Sequence, residues 1–262
     1  PEELKFPVPV KVGVGQANVQ LSNNMKWNVS QLEAKSQGKT ALAVSMEQVS
    51  GDFISSPASV KIDADFGSEN LRANASVKTA KDSVVVQVDA PKNNLTKFST
   101  NTNVTVNDPK KWIPFKLPEG IPGIGKLDVS VKANLDTKKE TVKYNATIKT
   151  HIGEFWPLEA ENIVIKLKGD QNNINTDISM DNGEGGTIRF TGDFDKNLDG
   201  TFEAQVQNMS AKFGPQIMPL DVEITSAEKR GDFIDAKLET RQGSRFDAHL
   251  DFSDSLMITF VG

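Results

Sequence analysis

Apolar and polar residues alternate with a period of two along most of this chain, the spacing that sends successive side chains to opposite faces of a β-strand. Leu127, Val129, Val131, Ala133 and Leu135 are separated by Asp128, Ser130, Lys132 and Asn134 without an error. The next run sets Val142, Tyr144, Ala146 and Ile148 against Lys143, Asn145, Thr147 and Lys149, after the polar turn Asp136-Thr137-Lys138-Lys139-Glu140. Together they predict a hairpin. Comparable runs at Phe6 to Val14, Met25 to Val29, Val60 to Phe66, Leu71 to Val77, Val84 to Ala90, Ile163 to Leu167, Ile188 to Phe194, Phe202 to Val206, Leu220 to Ile224 and Phe246 to Phe252, with weaker candidates such as Ala17 to Leu21 and Phe233 to Leu238, bring the expected number of strands to roughly 17.

Turn chemistry separates these runs. Asp181-Asn182-Gly183-Glu184-Gly185-Gly186, Asp195-Lys196-Asn197-Leu198-Asp199-Gly200 and Arg241-Gln242-Gly243-Ser244 supply residues that tolerate positive φ, and short turns imply antiparallel neighbours. Apolar residues at helical spacing are rare, so the only helical feature expected is a short turn near Asn93 to Phe98. The main interruption is 108–126, with four Pro and three Gly, which excludes a central strand. Because it also carries Trp112, Ile113, Phe115, Leu117, Ile121 and Ile124, it reads as a packed loop rather than a linker. The expectation is one elongated β domain over 1–262, with 108–126 as the place where it would divide. The breaks at Gly153 to Leu158 and Phe213 to Pro219 share a Phe, Gly and Pro flavour, which hints at a loose repeat without a fixed period.

Composition narrows the function. One Tyr and 3 Trp in 262 residues are a poor supply for base stacking, sugar platforms or the aromatic girdles of a transmembrane barrel. A net charge of -5, with both signs interspersed, offers no basic patch for nucleic acid. The absence of Cys excludes disulfides, thiolate metal sites and cysteine nucleophiles. No stretch approaches 18 consecutive apolar residues, and the opening Pro1-Glu2-Glu3-Leu4 reads as that of a mature or excised piece.

The chemical motifs are incomplete. Gly120-Ile121-Pro122-Gly123-Ile124-Gly125-Lys126 matches G-x-x-x-x-G-K, but Leu127 stands where Ser or Thr would hold Mg²⁺, and a strand follows in place of a helix. Asp195 to Gly200 copies the first half of a calcium loop, yet the twelfth position is Val206, so the bidentate carboxylate is missing. The two histidines, His151 and His249, give metal triads and Ser-His-Asp chemistry little to build on. Asp63/Asp65 and Asp193/Asp195 have the i, i+2 spacing of a paired-carboxylate site, which any solvated strand face also produces. Asn28, Asn74, Asn145 and Asn208 open sequons that belong to an Asn- and Thr-rich polar face. No enzyme activity, cofactor or metal is expected from these residues.

One-sided strands hide their apolar faces in a sandwich, a barrel or a sheet curled around something apolar, and the alternation fits all three. Ala73, Ala75, Ala133, Ala146, Ala204, Ala236 and Ala248 lie among the apolar positions, where small residues would leave volume for a guest. Phe6-Pro7-Val8-Pro9-Val10-Lys11-Val12 with Ala17-Asn18-Val19-Gln20-Leu21, and Gly185 to Phe194 running into Thr201 to Met209, resemble the AsmA-like and TamB-like envelope proteins in their alternation through Gly-rich hairpins. The resemblance covers most of the chain as a texture. It implies an all-β fold, an elongated, twisted antiparallel sheet curled into a groove. It further implies a periplasmic segment of an inner-membrane-anchored protein that shelters the acyl chains of phospholipid between inner and outer membranes. Membrane-anchored and outer-membrane assembly partners would then act through regions outside this chain. The residues expected to line the groove are Val129, Val131, Tyr144, Ile148, Ile163, Ile165, Leu167, Ile188, Phe190, Phe202 and Val206. The alternative is a surface or extracellular β-sandwich for adhesion or carbohydrate binding, with a closed, dry core.

Overall fold

The structure is a computed structural model, and it describes residues 11–20, 26–37, 40–51, 54–67, 69–107, 124–152, 154–155, 158–159, 161–213, 216–251, 253 and 257–261. The Pro/Gly-rich stretch 108–123, most of the G-x-x-x-x-G-K match and the start of the Phe6 to Val14 run lie outside them. All-β is what the alternation predicts and what is found: 21 strands and no helix among the described residues. The excess over the expected number includes two strands of only two residues each. A turn, not a helix, occupies Lys92 to Thr96.

Two compact units divide the chain, 1–116 with 126–142 and 117–125 with 143–262, so one border falls at the Pro/Gly-rich loop and another between Val142 and Lys143. The first unit contains β1 (Lys11–Val14), β2 (Ala17–Gln20), β3 (Lys26–Val29), β4 (Gln31–Gln37), β5 (Ala41–Gly51), β6 (Ile54–Asp65), β7 (Asn70–Lys78), β8 (Ser83–Pro91), β9 (Lys97–Val106) and most of β10 (Ile124–Asp136). Its strands run β1–β4–β5–β6–β7–β8–β9–β10, and the β2–β3 hairpin joins the far end of β5. The second unit contains most of β11 (Thr141–Ile152), then β12 (Glu154–Phe155), β13 (Leu158–Glu159), β14 (Asn162–Asp170), β15 (Asn173–Asp181), β16 (Thr187–Asp195), β17 (Gly200–Phe213), β18 (Gln216–Arg230), β19 (Phe233–Thr240), β20 (Arg245–Asp251) and β21 (Met257–Val261). Its order is β11–β14–β15–β16–β17–β18–β19–β20–β21, with the β12–β13 hairpin on the far end of β17. Every one of these pairings is antiparallel. In neither unit does the last strand pair back to the first among the described residues, so neither closes as a barrel.

The two units share an irregularity in their ladders. In β5, Met46 stands opposite Val60 and Val49 opposite Ala58, so three residues advance against two. The same shift recurs in β17, where Val206 faces Val222 and Met209 faces Leu220. At the extra residue Gln48 has φ of 50° and Asn208 has φ of 51°, both in the left-handed region that costs a side-chain-bearing residue energy. Directly after each bulge comes one of the two most deeply buried side chains, Val49 at 0% and Met209 at 1% exposure. Beyond each bulge the strand overhang receives a small hairpin: Trp27 stands opposite Gly51, and Leu158 opposite Ala211. The Asn208 amide, displaced from the ladder, donates to Asp221 Oδ1 at 2.8 Å.

Six strands end on an aspartate whose carboxylate turns back onto the chain. Asp65, Asp136, Asp170, Asp181, Asp195 and Asp251 each accept the backbone N–H two residues on, from Gly67, Lys138, Asn172, Gly183, Asn197 and Ser253, at 2.8 to 3.2 Å. This is the local turn that Asp favours because its short carboxylate mimics a backbone acceptor. The amides of Asn172 and Asn173 hold the Asp170 carboxyl below the usual value of 3.8, those of Asp199 and Asn197 do the same for Asp195, and the Ser253 hydroxyl and amide do so for Asp251.

Core formation follows an unusual order of size. Ala43, Ala58, Ala90, Ala146, Ala227, Ala236 and Ala248 are seven of the thirteen buried apolar residues among the described ones, and no polar or charged residue is buried. Phe190, Phe194, Phe202, Ile178, Ile224 and Leu238 are only half-buried. Two sheets packed face to face bury the large side chains first. Here the small ones are buried by their larger neighbours on the same face, as Ala227, Ala236 and Ala248 are by Phe202, Ile224, Ile234, Leu238 and Leu250. Each unit is a single antiparallel layer among the described residues, not a dry sandwich.

Two outcomes test this account. Replacing Gln48 or Asn208 with Val, which resists positive φ, lowers stability by about 1–2 kcal/mol, while Gly at either position is neutral or stabilising; urea midpoints that rank Val level with Gly would place the bulge elsewhere. A carboxyl whose folded pKa is depressed contributes stability above its unfolded value and loses it as pH falls through the folded one. The urea midpoint therefore stays level from pH 7 to 5 and declines below about pH 4, and Asp170→Asn with Asp195→Asn flattens part of that decline.

Candidate functional site

Antiparallel register fixes which side chains share a face, because directly opposed residues point the same way. In the first unit Val14, Leu32, Met46, Val60, Val77, Val84, Val104 and Val129 stand opposite one another across eight strands. Val131 heads the neighbouring row, opposite Thr102, which continues through Val86, Ala75 and Ile62. Val29, Val49 and Val60 form the buried centre beneath Leu32, Met46 and Val77.

The second unit carries four such rows. One passes through Tyr144, Gly169, Ile174, Phe194, Gly200, Lys229, Ile234 and Leu250. The next holds Ala146, Leu167, Thr176, Gly192, Phe202, Ala227, Ala236 and Ala248, the third Ile148, Ile165, Ile178, Phe190, Ala204, Ile224, Leu238 and Phe246. The fourth is Thr150, Ile163, Met180, Ile188, Val206, Val222 and Thr240. All nine groove residues expected in this unit, Tyr144, Ile148, Ile163, Ile165, Leu167, Ile188, Phe190, Phe202 and Val206, therefore share one face. Val129 and Val131 belong to the other unit.

The expected open space above the alanines is partly closed. Ala227, Ala236 and Ala248 sink to between 4% and 8% exposure beneath the flanking rows, so the accessible apolar surface comes from the large residues beside them. Phe190, Phe194 and Phe202 stack with centroids 5.1 to 6.4 Å apart. They enclose Gly192, where a Cβ would stand 2.5 Å from the Phe194 ring and 3.0 Å from Phe202 Cβ. Lys229 is the one charged residue in these rows among the described residues. Its Nζ reaches the turns at the rim, 3.4 Å from Asp199 Oδ1 and 2.8 Å from the Gly231 carbonyl it donates to, while the Gly231 amide also donates to Asp199 at 2.6 Å.

Sequence reasoning missed Ile224, Ile234, Leu238, Phe246 and Leu250 as members of this surface. Their period-two runs were visible, but the register shift in β18 between Ile224 and Ser226 moves Ala227 and Lys229 onto the apolar face and was not. The carboxylate pairs do not assemble as acid and base. Asp65 and Asp195 are committed to turns, and Asp193 accepts from Asn175 Nδ2 at 2.7 Å. Asp195 to Gly200 is the β16–β17 turn, with Asp195 Oδ1 also accepting the Asp199 amide. His151 is exposed beside Asn162, at 3.3 Å, and His249 lies 2.7 Å from Asp235. Among the described residues no three His, Cys, Asp or Glu side chains are placed to hold a metal ion, and no helix is long and apolar enough to cross a membrane.

No protein-family model, curated protein or solved structure matches the chain.

Gly192→Val forces a branched side chain against the Phe194 ring and the Phe202 Cβ. Overpacking of this kind costs about 1–3 kcal/mol, read as a lower urea midpoint with displaced Phe194 and Phe202 ring resonances; a variant as stable as the parent would show that the rings do not close over Gly192.

Proposed function

We propose that the chain is a lipid-handling segment of an AsmA/TamB-type protein of the periplasm, binding or passing phospholipid acyl chains on its apolar faces between inner and outer membranes. The observation that carries this reading is the set of apolar rows, interrupted among the described residues by threonines and by Lys229, whose large members stay half-exposed over buried alanines. A contiguous apolar face that no second layer covers among the described residues is the kind of surface that takes a partner. The row from Ile148 to Phe246 crosses eight strands, roughly 34 Å at the ~4.8 Å strand spacing. That exceeds one leaflet's share, about 15 Å, of a ~30 Å hydrocarbon core.

The interaction needs no proton transfer and no directed hydrogen bond in the rows themselves, and non-enzymatic function is part of the proposal. Anchorage and assembly partners belong to regions outside this chain. A sandwich used for adhesion would instead bury its phenylalanines between layers.

Native mass spectrometry after gentle purification is expected to show co-purifying phospholipid. Phe190→Glu with Leu238→Glu puts charge into the row from Ile148 to Phe246 and cuts bound lipid at least about tenfold, since 1.4 kcal/mol of desolvation suffices for that factor. Thr191→Glu, on the opposite face, leaves it unchanged. Protein that carries no lipid and takes up no fluorescent phospholipid from vesicles overturns the reading.

A further inference from the structure

A hollow of about 730 Å³ in the second unit spans β15 to β21; most of its lining belongs to the polar face, and Gly192, Phe202, Ala227, Ala236 and Ala248 of the second apolar row also border it. Two adjoining polar rows form its floor. One passes from Thr201 through Glu228, Asp235 and His249 to Thr259, and the other from Ser226 through Lys237 to Asp247.

Elsewhere on the polar faces several directly opposed charges close on each other, although Lys143 and Asp170, opposed across β11 and β14, do not. Lys166 and Asp177 meet at 3.0 Å, Arg245 and Glu239 at 3.2 Å, and Arg72 and Asp89 at 3.1 Å. Lys237 and Asp247 are also opposed across the floor, yet neither side chain has a partner among the described residues, nor does Glu203 at the hollow's wall. The other carboxylates are already engaged, Glu228 by Arg230 at 2.7 Å, Asp235 by His249 and Asp193 by Asn175. What remains open is two acceptors around one donor, with the hydroxyls of Thr191, Thr201 and Ser226 beside them. At one side the imidazole of His249, pinned by Asp235, stacks on Phe233 with centroids 5.7 Å apart and planes 22° from parallel. Phe233 is 42% exposed, so the pair offers a flat apolar surface to solvent.

We propose that this hollow is a binding site for a saccharide, a pyranose with vicinal hydroxyls. Such a ring uses acceptors and donors together, and its apolar C–H face packs on an aromatic plane. An anionic headgroup would meet the surplus of carboxylates. A polyamine would meet Lys237 in the middle of the floor. The polar side chains that carry the site alternate with the apolar rows and so face the other way, and the site stands or fails separately from the lipid reading.

Amide spectra of the ¹⁵N-labelled full chain, titrated with maltotriose and with tri-N-acetylchitotriose, test it. Saturable shifts confined to Lys237, Asp247 and their neighbours, with at least one trisaccharide and a Kd of the order of millimolar, are expected. Asp247→Ala and Phe233→Ala, both surface substitutions that preserve amide dispersion, each weaken that binding at least about fivefold, and lipid retention is unaffected. No shift with either sugar, a response of the same amides to spermidine or phosphate instead, sugar shifts scattered over both faces, or sugar binding that survives both substitutions overturns the proposal.

Discussion

Everything in this molecule depends on antiparallel register, because alternation by two converts a one-residue slip into exchange of the two faces. Val14 and Val129 lie more than a hundred residues apart in sequence. They belong to one apolar row only because seven successive pairings keep step. The cross-strand neighbours in such a row are also the main source of side-chain burial, since no second layer covers them among the described residues. Register and core are therefore the same constraint: any slip that misplaced Val60 or Phe190 would hydrate the row on both sides of it.

Turns and bulges set that register, and they differ in how far the sequence reveals them. A strand ending in Asp, followed two residues later by an amide it can accept, is local chemistry, and the polar turns at Asp136, Asp181 and Asp195 were legible as turns. What was not legible is that the carboxylates of Asp65 and Asp195 are consumed there, which is why their pairing with Asp63 and Asp193 looks like chemistry in the sequence and is turn closure in the structure. Bulges are less visible still. Nothing local to Gln48 announces positive φ, and Asn208, although Asn tolerates it, sits in an alternating run that gives no sign of it; the conformation is imposed by the pairing of β5 with β6 and of β17 with β18. The same limit hid the face change after Ile224 in β18.

The expected apolar surface was legible in composition and face but not in extent. Strict alternation in β11, β14, β16 and β17 placed all nine expected residues of the second unit on one side. Extension through β18 to β20 needed the bulge, and the sinking of Ala227, Ala236 and Ala248 needed the lean of Ile224, Ile234 and Leu238 over them. Volume is a property of neighbours, so small residues in a row do not by themselves predict an open floor.

Under the lipid and saccharide proposals the two faces divide the work of recognition. Ile, Leu, Val and Phe in rows have no donor or acceptor with which to tell one acyl chain from another, and their attraction grows with contact area alone. Under the lipid reading, any choice among lipids then falls to polar groups at the rim, and Lys229 is the charged residue whose strand position belongs to the apolar rows while its amine reaches the turn at Asp199 and Gly231. An occupant of the rows would supply the layer the sheet lacks, adding stability in proportion to RT ln(1 + [L]/Kd). Fully covering a half-exposed Phe or Ile contributes about 1 kcal/mol, half the value of complete burial. Summed along one row this is a term comparable to the total stability of a small domain, so a chain stripped of its apolar partner would be held mainly by its ladders and turns.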